Sequence, residues 1–214
     1  MFNICRRFNG LFCTIIVCAS FVLLSTKLSA YVVCGYKLKE SLTDGEYYIS
    51  AEMVTYNGTT VNYANIAENA VDAWNNAIDA TSSHSLDIDL EKGIFEYGSN
   101  NRVVIYPVDR GATGWRGFTY YYDYNLWVGQ PYSINYGGYP DQDYYYGTAV
   151  INLYYVHGNP DWKKQNTIMH EMGHIFGLKH SNREGALMIQ SSASYTSLQL
   201  PQSDDIAGVR AIYS

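Results

Sequence analysis

Residues 170–180 read His-Glu-Met-Gly-His-Ile-Phe-Gly-Leu-Lys-His, and their types and spacing suit metal-assisted hydrolysis. His170 and His174 are one helical turn apart, so on a helix both imidazoles project from one face toward a single ion. Imidazole suits zinc, and three protein ligands leave a fourth position open, as hydrolytic zinc sites require. Glu171 adjoins the first ligand, close enough to take a proton from water activated there without being a ligand itself. A straight helix would carry residue 180 well along the axis, away from the ion. Gly177 lets the chain turn back, since glycine adopts the left-handed conformation at little steric cost, and His180 then approaches as the third ligand. With 5 His and 18 Gly in 214 residues, the full pattern arises by accident in on the order of one chain in 10⁵.

Precise geometry needs packed elements behind it. Ile168, Met172, Ile175 and Phe176 recur at helical spacing and pack the histidine-bearing helix on a sheet. Upstream, Gly45–Tyr56 is β-prone. A helix capped by Asn65, with Glu68 three residues later, buries Ile66, Ala70, Trp74, Ala77 and Ile78 and runs to Ala80. Residues 86–90, 102–108, 117–123 and 148–156 have strand character. The order predicts an α/β (α+β) domain, a mixed sheet with helices packed on it. Residues 120–146 hold 10 of the 22 tyrosines among Gly, Pro, Asp and Asn, and read as a long surface loop. Either the loop packs on itself, or its tyrosines form a platform for a sugar or peptide.

The pattern from His170 to His180 is that of metzincin peptidases, and the chain resembles their matrixin branch. Ser181 follows the third histidine, and Gly185-Ala186-Leu187-Met188 resembles the family's Met-turn. The resemblance implies a metzincin fold: a twisted, mostly parallel five-stranded sheet with one antiparallel edge strand, three helices and the Met-turn. It implies one catalytic zinc on His170, His174 and His180, with Glu171 as the base. Substrate would lie extended along the edge strand, here Gly117–Asp123. Asp204-Asp205 resembles the start of the family's last helix, where Asp205 would bond the Met-turn and Asp204 an N-terminal amine. The same two acids also fit the dipole of a helix N-terminus, and both readings stand. The family's Pro-x-Tyr wall is missing, since Ile189-Gln190-Ser191 follows Met188, which leaves specificity open.

The first thirty residues carry Arg6 and Arg7, an apolar run from Leu11 to Leu24 and the small, polar stretch to Ala30. That is the layout of a secretory signal peptide and is short for a membrane span, so residues 31–214 are expected as the mature, secreted domain. Removing residues 1–30 takes away Arg6, Arg7 and Lys27 and no acid. The remainder has 11 bases against 20 acids, a net charge of −9. Such a surface disfavours nucleic acid and anionic membranes as partners. Cys5, Cys13 and Cys18 fall in the leader, so Cys34 stands alone. Cys34-Gly35 resembles the family's inhibitory Cys-Gly pair without its flanking residues, and an unreactive thiol is the plainer reading. Neither a prodomain nor an accessory domain is recognisable. His84 and His157 read as loop residues, and Asp141, Asp143 and Asp161 as loop acids able to face a Ca²⁺ ion. The expected activity is that of a monomeric zinc endopeptidase acting on protein or peptide substrates. A zinc-containing binding protein that uses the Tyr-rich loop is the alternative; the intact Glu171 argues against it.

Overall fold

The computed structural model describes residues 31–79, 88–94, 100–125, 130–134, 138–190, 197 and 200–213; the leader and His84 lie outside them. Four parallel strands form the body of the main sheet: β1 (Gly45–Ile49), β4 (Leu90–Lys92), β5 (Asn101–Val108) and β8 (Tyr146–Asn152). β6 (Gly117–Asn125) joins β8 antiparallel, giving the expected five-stranded, mostly parallel sheet with an antiparallel strand at its edge. A sixth short strand, β7 (Gln130–Ser133), pairs antiparallel with β6 from Tyr122 to Asn125. Ile134 N–H continues that pairing by one bond to the Tyr121 carbonyl, 3.0 Å. Of the expected edge strand, therefore, only Gly117–Tyr120 lies beyond the reach of β7.

The β-prone run at 45–56 is two elements. β1 enters the main sheet, whereas β2 (Met53–Tyr56) folds back on β3 (Thr59–Asn62) as a separate hairpin around Asn57-Gly58, both with positive φ. Such a turn matches the strand twist, and Asn-Gly tolerates it. Helix α1 (Tyr63–Asp79) starts earlier than its expected cap: Asn62 Oδ1 accepts the Asn65 N–H at 3.1 Å, so Asn62 takes the capping place assigned to Asn65. The apolar run 148–156 also divides. Asn152 ends β8 and caps the short helix α2 (Leu153–Val156) by accepting the Tyr154 N–H. A continuous apolar run carries no period that would mark this boundary.

α3 (Asp161–Ile175) lies on β6 and β8 and against α1, and α4 (Ser203–Tyr213) closes the chain. Trp74 of α1 is the tie between helices: fully buried, it donates its indole N–H to Met169 O at 3.0 Å and sets its ring edge-on to Phe176. The core reading of Trp74 holds, because a buried indole needs such an acceptor.

The Tyr-rich stretch is a surface loop only in part where it is described: residues 138–143 are irregular and largely exposed, but the residues on either side are not. β6 runs into it and β7 lies within it, Tyr146 opens β8, and Tyr121 and Tyr144 are buried under the end of α3. Their hydroxyls donate to His174 O at 3.2 Å and Ile175 O at 2.7 Å. Those are carbonyls of the last helical turn, which a helix leaves partly unsatisfied. The tyrosines are there because a buried helix end needs donors on long apolar bodies.

Candidate metal centre

α3 ends in two hydrogen bonds that define a left-handed helix stop: Gly177 N–H to His174 O at 2.9 Å and Leu178 N–H to Gly173 O at 3.0 Å. Gly177 has φ +93°, and a Cβ there would lie 3.0 Å from Tyr36 O and from Ile212 Cδ1. Conformation and space both demand glycine. Past the stop, the segment is held from the other end of the chain. Cys34 N–H bonds Gly177 O at 2.8 Å, Lys179 N–H bonds Val32 O at 2.7 Å, and Val33 bridges Leu178. Tyr139 completes this support: its hydroxyl accepts the His180 N–H at 3.2 Å, and its ring stands edge-on to that of His174.

This brings His170, His174 and His180 together, their ligand atoms all within 4.8 Å of one another. They are the one such convergent group among the described residues. His170 Nδ1 lies 2.8 Å from Leu187 O and His174 Nδ1 2.8 Å from Leu178 O. A carbonyl only accepts, so each Nδ1 carries the proton and each Nε2 keeps its lone pair for the shared centre. His174 Nε2 and His180 Nε2 are 3.2 Å apart. Burial lowers the His170 pKa to about 4, against a smaller upward pull from the Leu187 carbonyl. His174 is lowered well below its ordinary value by burial and then by His170, and His180 is lowered by burial. All three are held in the neutral, ligating form at pH 7, and this donor set fits zinc.

Glu171 is buried beside them. Its Oε2 accepts a hydrogen bond from the Thr119 hydroxyl at 2.7 Å, and burial pushes its pKa up to about 7 although that bond pulls the other way. A bound cation's charge would draw it back down. Oε1 lies against Gly117, where an added Cβ would stand 2.4 Å away.

Beneath the histidines, Met188 is buried, and a Cβ on Gly173 would come within 2.3 Å of its sulfur. The turn is fixed by Asp205, whose two oxygens accept Leu187 N–H at 3.0 Å and Met188 N–H at 3.2 Å. A third N–H, from Gln202, bonds the same carboxylate at 2.8 Å. Burial raises the Asp205 pKa against the lowering effect of these bonds. Asp205 thus bonds the backbone of Leu187-Met188, and it also sits in the first turn of α4. Asp204 takes the Ser181 hydroxyl at 3.3 Å and lies 3.5 Å from Arg183 Nη1.

Other expected features fall elsewhere. Cys34 is not among the converging groups; its thiol donates to Tyr36 O at 2.9 Å, and burial raises its pKa, the opposite of a reactive thiolate. Asp143 accepts the Lys37 N–H, Asp161 pairs with Lys164, and Asp141 is exposed, so the three acids do not share a site. His157 lies in the turn that caps α2, as a loop residue, and it is buried there with Nε2 2.9 Å from Thr59 O. Thr119, Gly117 and Tyr139 touch the centre without any motif to single them out. The alternation of β6 is the signal that places Gly117 and Thr119 on one face.

A mostly parallel sheet under a helix with two of three convergent histidines, and a carboxylate beside the first, defines a metzincin-type metal centre. The chain belongs to the matrixin family, whose model matches residues 46–214. That family is one of zinc-dependent metallopeptidases, and the His170, His174 and His180 set fits its metal. No curated protein sequence matches the chain. Among solved structures, a chain of the "GM1 bound form of the ECX AB5 holotoxin" is 16% identical with a TM-score of 0.48, over 86% of this chain and 88% of that one. A likeness at that level carries no argument about this chain.

Proposed function

We propose that this chain is a secreted zinc endopeptidase in which His170, His174 and His180 hold one zinc ion and Glu171 is the general base. The observation that carries the reading is the pair of Nδ1 to carbonyl bonds, which turn the Nε2 atoms of His170 and His174 on one point beside a buried carboxylate. A zinc ion there would supply Lewis acidity, lowering the pKa of water and polarising a peptide carbonyl. The protein's own part is proton handling and placement. Glu171 takes the proton of the attacking water on Oε1, the oxygen not engaged by Thr119, and returns it to the leaving amine. Gly117–Tyr120 offers the length of β6 beyond β7 along which an extended peptide can lie, as the family resemblance implies. Secretion rests on the composition of residues 1–30. Among the described residues no helix is long and apolar enough to cross a membrane.

The binding-protein alternative draws less support, since Tyr121 and Tyr144 of its platform are committed to the core. Glu171→Ala separates the two. The variant is expected to keep one zinc, unfold like the parent and lose about 10²- to 10⁴-fold in peptide cleavage. Parent and variant equally inert on a broad peptide library, both with zinc, would sink the peptidase reading.

A further inference from the structure

We infer that Thr119 and Gly117 are positioning residues for the general base: together they fix which carboxylate oxygen of Glu171 works. The inference rests on the peptidase reading above. Gly117 and Thr119 are two apart on β6 and so share the face that packs on α3. Tyr121, two further on, bonds the backbone of the same helix at His174. Three successive residues of one strand face thus grip α3 between Glu171 and His174.

Thr119 is buried and its hydroxyl lies 2.7 Å from Glu171 Oε2, with the main-chain carbonyl of Glu171 at 3.1 Å. A hydroxyl has one hydrogen to give, and the shorter contact is the one to the carboxylate, the stronger acceptor. Oε2 is therefore engaged and Oε1 is the oxygen left to meet water. Gly117 acts from the other side. A methyl group there would stand 2.4 Å from Oε1, 2.7 Å from Cγ and 2.8 Å from Cδ, overlapping the side chain along its length. Only a residue without a Cβ lets the carboxylate lie flat against the strand. A hydroxyl pulling one oxygen and a vacant side-chain position admitting the other hold a flexible side chain in one orientation. A base must be held in this way, because small misplacements of reacting groups cost large factors in rate.

Thr119→Val keeps the shape and removes the hydroxyl; Thr119→Ser keeps the hydroxyl. The valine variant is expected to lower kcat by about 10- to 100-fold with KM and zinc content unchanged, the serine variant to recover most of it, and Gly117→Ala to repeat the loss. In a Glu171→Ala background, Thr119→Val is expected to have no further effect on residual cleavage. Its effect on the urea midpoint of unfolding should differ between the two backgrounds, since the bond it removes is already gone. An equal loss of kcat in both backgrounds, or a serine variant as poor as the valine one, overturns the proposal. A parent protein inert on the whole library sinks the peptidase reading instead. The urea measurements then still decide the placement: coupling keeps Thr119 as the group that holds the carboxylate, and additivity removes it.

Discussion

An imidazole that gives its Nδ1–H to a backbone carbonyl has its ring plane and tautomer decided before any ion arrives. Here Leu187 O does this for His170 and Leu178 O for His174, and both carbonyls belong to segments downstream of the helix. The same burial that keeps these rings neutral makes the metal-free protein sensitive to acid. Between pH 6.5 and about 4 the unfolded chain takes up protons on His170 that the native one refuses, and His174 and His180 are shifted in the same direction. Stability then falls as pH drops through that window. Glu171, raised from 4.5 to about 7, works in the opposite sense, since the native state holds its proton where the unfolded state does not. Asp205, also raised by burial, acts in the same sense as Glu171, and the prediction is that the three lowered histidines outweigh these two acids. With zinc removed by a chelator, the urea midpoint is expected to be lower at pH 5 than at pH 7. A higher midpoint at pH 5 would show that the histidines are not held neutral by the fold.

At the scale of elements, the helix stop after α3 is the device that makes a three-histidine site from a two-histidine helix. Gly177→Val is expected to lower zinc affinity severely, because a β-branched residue is strained at φ +93° and its Cβ would press on Tyr36 O. Lys179→Ala, two residues on, is expected to change little, since the Lys179 side chain lies over the Tyr139 ring while its backbone N–H makes the bond to Val32. Competitive titration against a zinc indicator compares the two, and equal affinities would mean that the bend does not place His180. The tyrosines of β6 and of the segment before β8 belong to the same device. Tyr121 and Tyr144 bond the last carbonyls of α3, so two of the tyrosines of residues 120–146 serve the helix end.

Across the whole molecule, distant segments converge on the backbone of residues 177–180. Residues 32–34 pair with it, Lys37 Nζ reaches Ile212 O of α4, and the Leu38 N–H meets the Tyr213 hydroxyl. Asp205 of α4 holds the Met-turn from the opposite side. The N-terminal part of the described chain therefore braces the third ligand's segment directly, and α4 holds that part and the Met-turn in place. A protein beginning at residue 38 is expected to fold its sheet and keep His170 and His174 in register, yet bind zinc more weakly, because Lys179 and Gly177 lose their bonds to Val32 and Cys34. Circular dichroism with a zinc titration checks this, and unchanged affinity would show that the N-terminal segment is a passive cover.

The sequence by itself determined the chemistry of the centre and the local geometry that serves it. The spacing of His170 and His174, the bend at Gly177 and the turn at Met188 are read within a few residues of one another, where helical period and glycine conformation decide the outcome. The central strands were legible for the same reason, as alternating or continuous apolar runs. What only the tertiary structure decided lies between segments far apart in the chain. No period marks Thr119 as the partner of Glu171, 52 residues away, or Tyr139 as the support of His180, 41 away. A surface-loop reading of residues 120–146 follows from their Gly, Pro and Tyr content; it holds at 138–143 but not in β6 and β8, and Tyr121 and Tyr144 instead answer to carbonyls at the end of α3. Local pattern reports what a segment can become; hydrogen-bond demand in a buried site, set by whichever element packs opposite, selects what it does.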